Sequence, residues 1–408
     1  MTYEINCRSC RSETLIKFLD LGQMPLADRI LKAEQLEEEE PLFPLEVAYC
    51  ENCHLVQITE TVDPEILFAT DYPYFSSFSP AWLEHCRQNV LEVIEHRKLD
   101  KHSLVVEIAS NDGYLLKNYL EKNIPVLGID PASPCVEAAE KIGVPTQCEF
   151  FTVDLARRLA AQGKRADVIH ANNVLAHVAD TNGICKGIKT LLKDDGVAVI
   201  EAPYLRDLID HVEFDTIYHE HLCYFSVSAL KNLFSNNGLF LNDVKRLPTH
   251  GGSLRIFVQR FEAPTKRLEK LLTEERDLGM DAFGYYRDFA TRVDDLRAKL
   301  LSMLQRLKAD GHSIAAYGAA AKGATMANYV GIDHTMVDFV SDRNTHKQGK
   351  FMPGCKIPIV TPEKLVEMQP DYVLVLAWNF FDEIAGQQQA YADRGGKFIV
   401  PVPEPRII

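Results

Sequence analysis

Two series of apolar runs, each alternating with helical stretches, constrain the fold of this chain more than any other feature. The first series contains LVVEI, VLGID, DVIHA and GVAVIEAP, which begin at residues 104, 126, 167 and 196. The second begins with SIAAYG at residue 313 and continues with MVDFVSD, IPIVT, DYVLVLAW and KFIVPVP. Short apolar runs that alternate with helices are typical of parallel sheets covered on both faces. The sequence therefore predicts an α/β fold with two such domains.

The segment that joins the two series, at about 262–310, ends in a predicted amphipathic helix. Its apolar residues recur at steps of three and four among charged ones: Phe289, Val293, Leu296, Leu300, Leu304 and Leu307. A stripe of this kind buries one helix face. We expect the helix to pack between the two domains.

Four of the ten cysteines form two pairs with the same spacing, Cys7 with Cys10 and Cys50 with Cys53. Two such pairs can present four thiolates to one tetrahedral ion, which is the geometry that Zn²⁺ prefers. Coincidental pairs or redox pairs are the alternatives, although no thioredoxin-like strand and helix surround either pair. With four thiolate ligands no coordination position is open, so the predicted zinc is structural.

Composition and charge limit the partners of the chain. The formal net charge is −14 and Lys and Arg form no stripe, which argues against a nucleic-acid partner. No apolar run approaches the length of about 18 to 20 residues that spans a bilayer, and the N-terminus lacks the pattern of a signal peptide. The other six cysteines are scattered singly, as in proteins of a reducing compartment. We expect a cytoplasmic protein.

A compact polar turn follows the first strand of the first series and contains Glu107 and Gly113. It lacks the three glycines of a dinucleotide turn and the Lys-Ser/Thr pair of a P-loop. Asp130 ends the second strand, where a carboxylate can accept hydrogen bonds from ribose hydroxyls. An acidic site of this kind suits S-adenosylmethionine, which has a ribose, a cationic centre and no phosphate. The alternative is that both acids merely end strands in solvent.

An ordered set of motifs resembles the sugar C-methyltransferases that act on nucleotide-activated keto-deoxysugars. The motifs run over essentially the whole chain: the two CxxC pairs, PLADR, DYPYFSS, EIASNDGYLL, ANNVLAHV, YHEHLCYFS, THGGSLR, YGAAAKG and KQGKFMPGCKIPI. The resemblance implies a zinc-binding module at 1–75, a Rossmann-type class I S-adenosylmethionine domain at 76–261, and a linker helix with a C-terminal Rossmann-like domain at 262–408. The C-terminal domain of this family helps to hold the nucleotide sugar.

The resemblance also implies roles for individual residues. The zinc ligands would be the four cysteines of the two pairs. The residues that would bind S-adenosylmethionine are Glu107, Ser110, Asn111, Gly113, Tyr114, Asp130 and Asn172, with Tyr72 and Ser77 closing over the methionyl end. The catalytic set would be Tyr218, Glu220 and His221, joined by His177, which lies near the carboxyl edge of the sheet.

The tetrad Tyr218-His-Glu-His221 has the acid and base content that methylation of carbon requires. A carbon next to a 4-keto group attacks a methyl sulfonium only after a base has removed its proton and a donor has stabilised the enolate oxygen. The resemblance favours His221 as the base, with C-3 as the target carbon. In a straight strand Tyr218 and His221 would point to opposite faces. We therefore predict a bend at residues 218–221, with His219 a packed histidine. A metal site is disfavoured, because His219 and His221 are two positions apart and not four.

The predicted contacts to the nucleotide sugar are His250, Gly252, Arg255, Lys322, Arg343 and Trp378, each of which could also be ordinary loop polarity. Two other functions stay open: an O- or N-methyltransferase, and a non-catalytic sugar-nucleotide binding protein. The sequence does not distinguish a dTDP-linked from a GDP-linked substrate. We expect a monomer or a weak dimer.

Overall fold

We describe the fold from a computed structural model that covers residues 6–63, 66–67 and 75–408. An antiparallel four-stranded sheet forms its N-terminal part, in the order β1-β2-β3-β9. The strands are β1 (Leu15–Pro25), β2 (Leu42–Cys50), β3 (Val56–Ile58) and β9 (Cys223–Tyr224). The fourth strand comes from the middle of the chain, so the cysteine-bearing module completes its sheet with a piece of the predicted second domain.

A seven-stranded sheet forms the central domain, in the order β10-β11-β8-β7-β4-β5-β6. Its strands are β4 (Val105–Ile108), β5 (Val126–Asp130), β6 (Thr146–Cys148), β7 (Ala166–Asn172), β8 (Leu192–Pro203), β10 (Phe240–Leu247) and β11 (Ser253–Gln259). The strands from β8 to β6 are parallel, and β11 and β10 add an antiparallel edge. The strand order reverses between β4 and β7, and in sheets of this type a ligand binds at the carboxyl ends of such a pair.

The helices of the central domain are α1 (Pro80–Arg97), α2 (Lys117–Leu120), α3 (Ser133–Lys141), α4 (Val153–Ala161), α5 (Thr181–Leu191), α6 (Leu205–Asp210) and α7 (Val227–Asn236). Short 3₁₀ turns at Leu175–His177, Phe214–Thr216 and Thr249–Gly251 carry several of the predicted site residues. Ser79 begins α1 by accepting a hydrogen bond from the Trp82 amide, which is an ordinary N-cap.

A six-stranded sheet forms the C-terminal domain, in the order β14-β13-β12-β15-β16-β17. Its strands are β12 (Ile314–Tyr317), β13 (Val340–Ser341), β14 (Ile359–Val360), β15 (Tyr372–Val375), β16 (Lys397–Val400) and β17 (Arg406–Ile407). Its helices are α10 (Ala321–Val330), α11 (Glu363–Met368), α12 (Phe381–Gln387) and α13 (Gln389–Ala392). All strand pairs are parallel except the last, as the second alternating series predicted.

Two helices, α8 (Lys266–Asp277) and α9 (Phe289–Ala309), connect the central and C-terminal domains. All six apolar residues of the predicted stripe are buried in α9, which packs against β1 and α10. One cluster of buried apolar side chains extends from Cys7 through the central domain to Val402. The predicted fold class is confirmed, and the parts share a continuous core. Among the described helices, none is both long and apolar enough to cross a membrane.

Candidate active site and zinc centre

The four predicted zinc ligands meet at one point. Their sulfur atoms all lie within 4.8 Å of one another, with Cys7 Sγ 3.4 Å from Cys53 Sγ and Cys10 Sγ 3.5 Å from Cys50 Sγ. Four thiolates at about 2.3 Å from a tetrahedral zinc ion would be about 3.8 Å apart, so the cluster fits the ion. Hydrogen bonding to Cys50 and Cys7, together with burial, raises the pKa of the Cys53 thiol. A bound cation would oppose this rise, because it binds the thiolate form.

Hydrogen bonds join the two cysteine pairs of the zinc module to the central domain. The carbonyl oxygen of Arg8 accepts hydrogen bonds from the Thr181 hydroxyl at 3.1 Å and from the Asn182 amide at 2.9 Å. The Asn232 amide donates to the Cys53 carbonyl at 3.2 Å. These contacts fix the position of the cysteine cluster on α5 and α7.

Asp130 holds the first turn of the central sheet in place. Its carboxylate accepts hydrogen bonds from the backbone amides of Asn111 and Ala132, both at 2.9 Å. Burial raises the pKa of this carboxyl, and the two amide hydrogen bonds oppose the rise. Each carboxylate oxygen has a second lone pair. Asp130 can therefore shape the turn and still accept hydrogen bonds from ribose hydroxyls.

Asn172 is the buried polar residue at the carboxyl end of β7, beside the reversal of strand order. Neither its amide nitrogen nor its amide oxygen has a hydrogen-bond partner among the described residues. An unpaired buried amide is costly. This observation fits the predicted position of Asn172 beside the methionine part of S-adenosylmethionine.

Glycines and left-handed backbone let the first turn close tightly. Asn111 has a φ of 50° and Gly113 a φ of 78°. A Cβ atom on Gly128 would come within 2.5 Å of Ser110 Oγ, so the Ser110 hydroxyl points at β5. Among the predicted cofactor residues, Asn111 and Gly113 thus shape the turn through their backbones, whereas Ser110 packs against the neighbouring strand.

The stretch before α1 is bound to the same turn. The Asn111 side-chain oxygen accepts a hydrogen bond from the Ser76 amide at 2.9 Å, and Asp112 accepts one from the Ser77 amide at 3.2 Å. The segment around Ser77 therefore lies against the predicted cofactor site, although the Ser77 side chain is exposed. Tyr72, the other residue predicted for the methionyl end, lies outside the described residues.

Glu107 and Tyr114, both predicted to bind the cofactor, are buried. Burial raises the pKa of the Glu107 carboxyl well above its usual value, and a hydrogen bond with Tyr114 opposes this. The Tyr114 ring lies 6.0 Å from that of Trp82 in α1. Their side chains therefore lie in the packed interior under α1.

The tetrad forms a turn, as predicted. The His221 amide donates to the Tyr218 carbonyl at 2.8 Å, which places the two side chains on one side. Tyr218 Oη lies 2.9 Å from His221 Nε2, and His221 Nδ1 lies 2.8 Å from the Thr216 carbonyl oxygen. A carbonyl oxygen can only accept, so Nδ1 carries the hydrogen in the neutral ring and Nε2 is the nitrogen that can accept a proton.

The predicted partner His177 lies beside His221. The rings of His177 and His221 are 4.7 Å apart at an interplanar angle of 74°. Burial lowers the pKa of His177 to about 4, so this ring is neutral at physiological pH. The two imidazoles can therefore be neighbours without charge repulsion.

Glu220 faces the junction with both flanking domains. Burial and the negative charge of Asp28 raise the pKa of the Glu220 carboxyl, and the positive charge of Lys347 opposes this rise. Lys347 Nζ lies 3.4 Å from Asp28 Oδ1 and donates to the Ala319 carbonyl oxygen at 2.8 Å. Asp28 belongs to the zinc module and Lys347 to the C-terminal domain, so all three parts of the chain meet at this point.

His219 is a packed histidine, as expected. It is buried, its Nε2 lies 3.2 Å from the Pro44 carbonyl oxygen, and its ring lies 5.7 Å from that of Phe43. Its two contacts belong to β2 of the zinc module. His219 therefore holds the turn against β2.

Two predicted substrate residues, Lys322 and Trp378, meet at the domain junction. Lys322 Nζ lies 4.4 Å from the centre of the Trp378 ring, and Trp378 Nε1 donates to Asp215 Oδ2 at 2.7 Å. Asp215 is fully buried, and burial raises its pKa to about 6, against the opposing charge of Lys322. Burial also raises the pKa of Glu213 to about 8.

Sequence reasoning missed Asp215 and Glu213. The only local signal is their position, a few residues before Tyr218. Neither residue belongs to a recognisable motif on its own, and Asp215 meets Trp378 across 163 positions of the chain.

The structure does not bring Arg255 and Gly252 to an anion site. The Arg255 guanidinium is buried, donates to Glu201 at 2.6 Å and lies 3.2 Å from His85 Nε2. A Cβ atom on Gly252 would lie 2.1 Å from Asp207, so the space at this glycine is filled by a carboxylate. Neither position therefore leaves a free donor or free space for a pyrophosphate.

Two predicted substrate residues remain, Arg343 and His250. Arg343 is exposed after β13 and lies 3.2 Å from Glu383. The side chain of His250 lies outside the described part of the chain.

Family models match three consecutive parts of the chain. Residues 7–68 match a model described as "Putative zinc binding domain", residues 82–242 a "Methyltransferase domain", and residues 248–403 a "C-methyltransferase C-terminal domain". With the fold, the four-cysteine cluster and the polar edge of the central sheet, these matches define the class: a Rossmann-type S-adenosylmethionine-dependent methyltransferase with an N-terminal zinc-binding domain.

Relatives narrow the class to a family. The "C-methyltransferase NovU" of Streptomyces niveus is 36% identical over 405 residues, which cover 98% of this chain and 96% of that protein. The "Ubiquinone biosynthesis O-methyltransferase" of Bartonella quintana (strain Toulouse) is 24% identical over 155 residues, 34% of this chain and 61% of that protein. The chain belongs to the C-methyltransferase family and is an S-adenosylmethionine-dependent C-methyltransferase.

Among solved structures, a S-adenosylmethionine-dependent methyltransferase from Clostridium acetobutylicum ATCC 824 matches 45% of this chain and 92% of its own, with 12% identity and a TM-score of 0.36. A similarity of this size supports no further conclusion.

Proposed function

We propose that this enzyme methylates a carbon next to the 4-keto group of a nucleotide-activated deoxysugar, and that His221 is the base. The arrangement of His221 between Thr216 and Tyr218 carries the proposal. It leaves Nε2 as the proton acceptor, and it keeps a phenol within hydrogen-bond distance of the same nitrogen.

The chain's own residues can supply each step of enolate formation. His221 Nε2 takes the proton from the carbon, and the Tyr218 hydroxyl then donates to the oxygen on which the negative charge develops. Neutral His177 beside the base can donate to the same oxygen. S-adenosylmethionine, when bound, supplies the methyl group on a sulfonium, and the carbon of the enolate forms the new bond while the sulfide leaves.

Glu220 is suited to a supporting role. Burial raises the pKa of its carboxyl and so favours the protonated form, which can donate a hydrogen bond to a neighbouring group. Asp28 in the zinc module raises this pKa, and Lys347 in the C-terminal domain lowers it.

The acceptor would reach the turn from the C-terminal domain. Lys322 at the start of α10 and Arg343 after β13 both follow strands of the C-terminal sheet, where parallel strands place their ligands. The ring of Trp378 lies beside Lys322.

The test is incubation with S-adenosylmethionine and a panel of dTDP-linked and GDP-linked 4-keto-deoxysugars, followed by mass spectrometry for the gain of one methylene. The resemblance favours C-3 as the target, but the 4-keto group acidifies C-5 as well, so the methylated carbon is located by NMR. A product methylated on oxygen or nitrogen would contradict the proposal. Binding of sugar without consumption of S-adenosylmethionine would indicate a binding protein.

Proton exchange identifies the base. In deuterated water without methyl transfer, the parent should exchange the proton of the target carbon, and His221→Gln should lose about 100-fold or more in rate. The matched control is His219→Gln, which keeps a donor for the Pro44 carbonyl in the same turn. An His221→Gln protein that exchanges at the parental rate would refute the assignment.

A further inference from the structure

The 3₁₀ turn Phe214–Thr216 belongs to the central domain in sequence, yet it is held by the C-terminal domain. The Phe214 ring lies 5.2 Å from the ring of Tyr329 in α10. Asp215 Oδ2 accepts a hydrogen bond from Trp378 Nε1 at 2.7 Å. The next residue, Thr216, presents its carbonyl oxygen to His221 Nδ1 at 2.8 Å.

We propose that Trp378 and Asp215 are positioning residues through which the C-terminal domain holds the His221 imidazole in its productive tautomer. The proposal rests on the function proposed above, in which His221 is the base. It assigns Trp378 a role different from the substrate contact that the sequence predicted.

The partner of His221 Nδ1 determines which ring nitrogen carries the hydrogen. Nδ1–H is favoured because it meets a carbonyl oxygen that cannot donate. If the Phe214–Thr216 turn rotated, this partner would be lost and the hydrogen could move to Nε2. That nitrogen faces Tyr218 and would then be unable to accept a proton from substrate.

The Trp378–Asp215 hydrogen bond is placed to prevent such a rotation. Asp215 is fully buried, and its other carboxyl oxygen, Oδ1, has no hydrogen-bond partner among the described residues. Loss of the Trp378 bond would leave Oδ2 unpaired as well, which is costly, so the bond restrains the turn. Lys322 Nζ lies over the face of the Trp378 ring, 4.4 Å from its centre, and this contact restrains the ring. Among the described residues, the ionisable groups that interact electrostatically with Asp215 are Lys322 and Glu213.

The test compares two variants that each remove one short hydrogen bond from the same junction. Trp378→Phe keeps an aromatic ring beneath Lys322 but removes the donor to Asp215. Tyr329→Phe removes a 2.7 Å bond from the Tyr329 hydroxyl to Asp294 and leaves the ring that packs on Phe214. Tyr329→Phe serves as the control because it leaves the Asp215 contact intact.

The first readout needs no substrate. In protein with ¹⁵N-labelled histidine, long-range proton–nitrogen correlations identify the tautomer of each ring, and the His221 signal is assigned by its loss in His221→Gln. We expect an Nδ1–H tautomer in the parent and in Tyr329→Phe, and loss of its predominance in Trp378→Phe. An unchanged tautomer in Trp378→Phe would overturn the proposal.

The second readout is exchange of the substrate carbon proton in deuterated water. Trp378→Phe should lower kcat for exchange roughly 10- to 100-fold, with KM for the nucleotide sugar little changed, because a misplaced base slows the chemical step. A rise in KM alone would show that Trp378 contacts substrate and would overturn the positioning role. An equal loss of kcat in Tyr329→Phe would do the same.

A second variant keeps the proposal testable if Trp378→Phe does not fold. Asp215→Asn retains an oxygen acceptor for Trp378, so it should keep the Nδ1–H tautomer of His221. Loss of that tautomer in Asp215→Asn would show that the charge of Asp215, and not its hydrogen bond, controls the ring. Because the tautomer is read without substrate, the proposal can fail while the proposed function stands, and the reverse.

Discussion

Asp215→Asn should change how the stability of the protein depends on pH. Asp215 is fully buried, and burial raises its pKa from 3.8 to about 6. A carboxyl with a raised folded-state pKa binds its proton more tightly in the native state. Its contribution to stability is therefore complete below the unfolded pKa of 3.8 and is lost as pH rises through about 6.

The size of the effect follows from the shift. A rise of about two pKa units corresponds to about 3 kcal/mol, of which about 1.4 kcal/mol is lost between about pH 5 and pH 7.5. Asparagine does not titrate, so the variant should gain about this much on the parent over that interval. Glu213 adds in the same direction, because the charge of Asp215 raises its pKa as well.

The measurement is the thermal unfolding of parent and variant at several pH values, with the difference between the two proteins compared at each pH. The difference cancels the other titrating groups of the chain. The control is Asp194→Asn, whose side chain is 88% exposed and should show no such trend. If the difference between parent and Asp215→Asn is the same at about pH 5 and pH 7.5, the argument from burial is refuted.

Three further predictions address the other sites. Cys53→Ser should lose zinc by metal analysis and should speed hydrogen–deuterium exchange in Val56–Ile58, because that strand follows the cysteine knuckle; unchanged exchange would contradict a structural zinc. Asn172→Ala should weaken S-adenosylmethionine binding about tenfold in calorimetry, because a buried hydrogen bond is lost, and an unchanged Kd would remove Asn172 from the cofactor site. Gly128→Ala should destabilise the protein by about 1–3 kcal/mol, because its Cβ would lie 2.5 Å from Ser110 Oγ, and an unchanged melting temperature would contradict that packing.

Local signals were sufficient for most of the secondary structure. The run VLGID became β5 (Val126–Asp130), and the apolar stripe of the linker became the buried face of α9. Both are decided by a short window of residues, because hydrophobic periodicity directly reports which face is buried. The bend at Tyr218–His221 was also predictable, since no straight strand could bring the required side chains together.

The pairing of β9 with the zinc module could not be predicted in the same way. Val56 lies opposite Tyr224, and the Ile58 amide donates to the Leu222 carbonyl at 3.1 Å. A strand of two residues has no periodicity, and its partner lies far away in the sequence. Only the folded chain shows that the sheet of the zinc-binding domain ends next to the turn that carries Tyr218 and His221.

The charge of a site is similarly a property of the folded chain. Arg255 follows a pair of glycines and was predicted to bind the substrate. Glu201 lies directly opposite it on the adjacent strand and forms an ion pair with it. Trp378 was predicted as a substrate contact, and nothing near it in the sequence indicated that its ring nitrogen donates to Asp215. For both residues the type of side chain is visible in the sequence, but its bonding partner is not. Strand register or domain packing determines which partner each side chain meets. The turn that carries His221 depends on both kinds of long-range contact, so the residues of the proposed site could be selected from the sequence while the contacts that hold them could not.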